Sequence, residues 1–85
     1  MQASNYVIAI AQVEAIKNES PVLHKGFYIS SWFIDGYGWV GEVRDPGNNL
    51  MPNWMNTSKG YKMRFGAVEF MKARIDEYLL KVNAG

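Results

Sequence analysis

The chain has 85 residues, nine Lys+Arg, eight Asp+Glu, one His and no Cys; this leaves room for one domain (1–85) around one core and removes disulfide scaffolds, thiolate zinc sites and cysteine nucleophiles. A hydrophobic share of 48%, an aromatic share of 14% and a net charge of +1 are too apolar and too near neutral for intrinsic disorder. The longest apolar stretch, Tyr6 to Ala11, is far short of the ~20 residues of a bilayer span, and the opening Met1 to Ser4 lacks the positive flank of a secretory signal, so a soluble, cytoplasmic protein without membrane contact is expected.

Residues 5 to 16 carry conflicting signals. Val7, Ile8, Ile10, Val13 and Ile16 are β-branched and favour a strand, whereas Ala9, Ala11, Gln12, Glu14 and Ala15 favour a helix. We read a strand, either covered on both sides or covered on one side and capped by a partner. Pro21 breaks it, since it lacks a donor for a ladder and pushes Ser20 into an extended conformation. Phe27 to Asp35 is rich in aromatic and β-branched residues, and Trp39 to Arg44 alternates from Val40 onward. Gly36-Tyr37-Gly38 between them makes a β-hairpin. Asp45-Pro46-Gly47-Asn48-Asn49 reads as a second turn. Leu50 to Thr57 is expected as a third strand, confined by Pro52 to an edge or a bulge. From Arg64 to Val82 the apolar set Ala67/Val68, Met71, Ile75, Tyr78/Leu79 and Val82 steps by three and four, one stripe down a long helix. The expected fold is therefore α+β: a three- to four-stranded antiparallel sheet packed on one long C-terminal helix.

The block from Gly36 to Leu50, followed by Gly60 to Ile75, resembles a pattern found in small bacterial and phage proteins. An aromatic-rich strand, a turn with Gly-Asn, a further strand and a Gly-aromatic-basic corner lead into an alanine-bearing helix. Over residues 27 to 82 the chain is similar to the β-β-β-α arm-binding domains of phage integrases and to small bacterial ββα-repeat proteins. It departs from them at Met63, where a Ser or Thr cap is usual, and in the long 50–58 segment. In size and aromatic load it also resembles small phage-encoded inhibitors of host defence, the anti-CRISPR proteins. That likeness implies a non-catalytic inhibitor that acts by steric blocking.

No catalytic constellation is legible. His24 has no orienting partner at any telling spacing, and we read it as an exposed or edge histidine. Asp35, Glu42 and Asp45 lie near turns, where acids satisfy local backbone donors. Gly36, Gly38 and Gly41 match G-x-G-x-x-G but enter a strand, without the helix N-terminus that would hold a phosphate. No enzyme, metal or cofactor is therefore expected.

The aromatic residues carry the functional expectation. If Phe27, Ile29 and Phe33 face the helix, Tyr28 and Trp32 face the opposite side of the sheet. With Trp39 or Trp54 they would form either an apolar partner surface or a face covered by the N-terminal segment. Leu50 to Met55 reads either as an adaptable contact loop offering Met51, Trp54 and Met55, or as an edge strand that inserts Leu50 and Trp54 into the core. The expected protein-binding set is thus Tyr28, Trp32, Tyr37, Met51, Trp54 and Met55. The charge is also divided unevenly. Up to Val43 stand Lys17 and Lys25 against four acids; from Arg44 onward there are seven bases against four acids. Arg44, Lys59, Lys62, Arg64, Lys72 and Arg74 form the alternative, a nucleic-acid site. A homodimer pairing strand edges or sheet faces is the third expectation.

Overall fold

The computed structural model describes residues 21–84, so the strand expected over 5–16 lies outside the described residues. Three strands, β1 (Val22–His24), β2 (Phe27–Ile34) and β3 (Gly38–Arg44), form an antiparallel sheet in the order β1-β2-β3. A 3-10 turn at Asn53–Met55 and one long helix, α1 (Arg64–Ala84), complete the α+β arrangement.

β1 was not anticipated. It pairs His24 with Phe27 and Val22 with Ile29 across the two-residue turn Lys25-Gly26. Both turn residues take positive φ, 51° and 87°, the backbone of a tight hairpin whose twist matches the flanking strands. Lys-Gly is a weaker signal for that turn than Asn-Gly, so the hairpin escapes a sequence reading. The β2–β3 hairpin forms as expected, with Ile34 opposite Gly38 and Tyr28 opposite Arg44.

The expected third strand at 50–57 does not form. Leu50 makes only an isolated bridge to Arg44, and Pro52, which has no N–H, opens the turn in which Met55 N–H donates to the Pro52 carbonyl at 3.0 Å. The segment nevertheless seals the outer edge of β3. Met51 N–H donates to Val43 O at 2.9 Å, and Thr57 N–H to Gly41 O at 3.3 Å. In return Val43 N–H donates to Asn56 Oδ1, and Gly41 N–H to Thr57 Oγ1, both at 3.0 Å. Two polar side chains thus supply the acceptors that a strand backbone would have offered.

α1 covers one face of the sheet. Ala67, Val68, Met71 and Ile75 are buried against Phe27, Ile29, Val43 and Met55, at about 1.5–3 kcal/mol for each fully enclosed large side chain. Phe27 meets Tyr78 edge-on, with ring centroids 5.9 Å apart. The stripe matches the expected one as far as Leu79. Val82 remains 51% exposed, because the helix has by then run past the sheet.

Candidate interaction surface

The end of the sheet at the β2–β3 turn keeps two rings, those of Phe33 and Tyr37, half in solvent, while Trp39 packs against the core. Phe33 and Trp39 are cross-strand partners whose ring centroids lie 5.6 Å apart at 59°. Phe33 is 51% exposed, and Tyr37 in the turn 53%. Phe33 shares the helix-facing side with Phe27 and Ile29, as expected, yet it stays uncovered. The reason is where the helix begins: Arg64, its first residue, donates from Nε to Ser31 Oγ at 2.8 Å, and Phe33 lies two residues farther out. Met63 (69% exposed) and Phe65 (72%) flank Arg64 at the same end.

A rigid backbone joint holds this surface. Trp39 N–H donates to Tyr61 O at 2.7 Å, and Tyr61 N–H returns a bond to Trp39 O at 2.9 Å. The two chains lie so close that a side chain on Gly60 would collide with the Tyr37 carbonyl, and one on Gly38 would stand 2.7 Å from the Tyr61 carbonyl oxygen. Gly38 also takes φ 124°, which other residues rarely adopt. The Tyr61 ring packs on Phe70 at 6.0 Å, and Lys59 Nζ stands over it at 5.1 Å. Lys59 is thereby held over the Tyr61 ring, and Lys62, next in the chain after Tyr61, is exposed.

The expected protein-binding residues are dispersed. Register places Tyr28 and Trp32 on the face away from α1, but Trp32 is only 3% exposed, so its ring is not a free surface. Met55 is fully buried in the helix-facing core, which corrects its reading as a contact residue, and Met51 is half-buried against the same core. Trp54 is 40% exposed, with Lys81 Nζ 4.8 Å over its ring; it is not inserted into the core. Tyr28 borders a surface groove with Ser30, Arg44 and Pro46. Among the six residues, only Tyr37 belongs to the turn end. Phe33, Met63 and Phe65 were missed, since alternation gives the face of a side chain and not whether the covering helix reaches it.

The basic residues are divided as well. Arg44 stands at the far end of β3, where it pairs with the buried Glu42 at 3.1 Å and donates to Asn48 O. Lys72 pairs with Glu69 and Arg74 with Glu77, each at 3.3 Å along the helix, and Arg74 also lies over Phe70. Arg44 thus stands apart from the other basic residues, whereas Arg74 reaches over Phe70, whose ring packs on Tyr61 beneath Lys59.

His24 is half-buried rather than free. Its Nε2 and the Lys25 ammonium both lie 2.9 Å from Asp76 Oδ1, clamping the first hairpin to α1. Lys25 first and His24 second hold the Asp76 carboxyl below its ordinary range. Among the described residues there is no cluster of three metal-ligating side chains, and no helix is long and apolar enough to cross a membrane. Comparison with protein-family models, curated proteins and solved structures returns no match.

Proposed function

We propose that this chain is a non-catalytic protein-binding domain whose working surface is the turn end, with Phe33, Tyr37 and Trp39 at its centre and Met63, Phe65, Lys59 and Lys62 around them. The observation that carries the reading is the Phe33–Trp39 pair, in which Trp39 rests half-buried against the core and Phe33 beside it keeps half of its surface in solvent. Exposed aromatic and methionine side chains with cations at the rim have the make-up of a protein interface, and a preformed surface loses little conformational entropy when it docks. Acting by occupying a partner's surface would suit a small steric inhibitor, the kind of protein the sequence resembles.

The test is a capture experiment in the native host, comparing wild type with a Phe33→Ala/Tyr37→Ala double variant and with Trp54→Ala. Loss of the partner from the double variant alone, with an unchanged unfolding midpoint, is the expected result. Equal capture by the double variant and wild type would remove the turn end from the function. Nucleic-acid binding is the second reading, favoured by the exposed Lys59 and Lys62 on either side of Tyr61 in the chain. Titrating labelled oligonucleotides at low salt tests it, because phosphate contacts are strongest there.

A further inference from the structure

The ion pairs of the domain are not spread evenly over its cations. Lys25 is matched by Asp76, Arg44 by Glu42, Lys72 by Glu69, and Arg74 and Lys81 by Glu77. Among the described residues no acid lies within ion-pair distance of Lys59 or Lys62, and both are exposed. In the chain they flank Tyr61, whose backbone pairs with Trp39 at the turn end, and Lys59 stands over the Tyr61 ring. The turn itself holds one acid, Asp35, which forms no ion pair among the described residues. The molecule is nearly neutral, yet among the described residues the two lysines without an acidic partner flank Tyr61, whose backbone joins the turn end.

We infer that the partner docks an acidic segment there, with an apolar anchor on the Phe33–Trp39 pair and carboxylates toward Lys59 and Lys62. This rests on the protein-binding reading above and adds the partner's chemistry to it. Charge complementarity of this kind fixes register and speeds encounter. The ring geometry favours a protein segment over single-stranded nucleic acid. Successive bases need open, roughly parallel ring faces, whereas Phe33 and Trp39 are tilted by 59° against each other and the Tyr61 ring already carries Lys59 and Phe70. The cations are also few for a phosphate track.

The experiment is selection of a phage-displayed random-peptide library on the full chain, with the selected peptides then measured against variants. Selected sequences should be rich in Asp and Glu beside Phe, Trp or Leu. Lys59→Glu/Lys62→Glu should weaken them about five- to tenfold, the order expected for two rim charges, and should select basic peptides in its own right. Peptides with no acidic bias, no selected peptides at all, or displacement of bound peptide by oligothymidylate at low salt would each overturn the inference. If the peptides respond to Phe33→Ala/Tyr37→Ala but ignore the lysine exchange, the binding surface stands and the acidic partner falls. Acid-rich peptides indifferent to Phe33→Ala/Tyr37→Ala would instead remove the turn end as the binding surface.

Discussion

In the middle of the sheet, Met55 and Met71 are fully enclosed between strands and helix, while at the turn end Phe33 and Tyr37 keep about half of their surface in water. Both regions are built from large apolar side chains on or beside the same two strands. What separates them is cover: α1 starts under Ser31 and runs away from the turn. Apolar content predicts a driving force for burial, but the reach of the neighbouring element decides which rings are left over.

The sharpest way to break this contrast is to treat each region as the other. Met55→Ala should cost about 2–5 kcal/mol through the cavity it leaves, read as a lower urea midpoint. A loss below about 1 kcal/mol would mean that the middle is loosely packed. Gly60→Ala should follow at about 1–3 kcal/mol, because the joint to Tyr37 has no room for a methyl group; it should also weaken partner binding by moving the rings. Thr57→Val should cost about 1–2 kcal/mol by leaving the Gly41 N–H without its acceptor, and should slow none of the binding if the strap is purely structural. Phe33→Ala/Tyr37→Ala should change stability by less than about 1 kcal/mol while abolishing capture, the reverse of Met55→Ala.

The smallest effect concerns acid. Asp76 is held below the ordinary aspartate value of about 3.9 by Lys25 and His24. A carboxyl with a depressed native pKa contributes stability that is present above its unfolded value and lost as pH falls through the native one. Asp76→Asn should therefore lower stability slightly at neutral pH and leave it unchanged at pH values below the native pKa, so that the acid limb of the stability curve becomes shallower. An identical acid limb in variant and wild type would show that the clamp contributes nothing.

The β2–β3 hairpin and the helix are legible in the chain because their signals are local: strand formers around Gly36-Tyr37-Gly38, and an apolar stripe from Ala67 to Leu79. β1 and the 50–57 strap are not. The first depends on a Lys-Gly turn with weak statistics. The second depends on Asn56 and Thr57 meeting β3 amides more than ten residues away in sequence. Of the candidate site, Tyr37 and the Lys59–Arg64 corner are recognisable as turn and helix entry, whereas alternation gives the face of Phe33 and not its exposure.

Sequence by itself determined the fold class, the main hairpin and the buried side of α1, since periodicity and turn chemistry act over a few residues. Only the tertiary structure decided which aromatic rings stay in water and which cations keep their charge unmatched. Those outcomes depend on where the helix begins and which acids lie across from which bases, and neither distance is written in residue spacing.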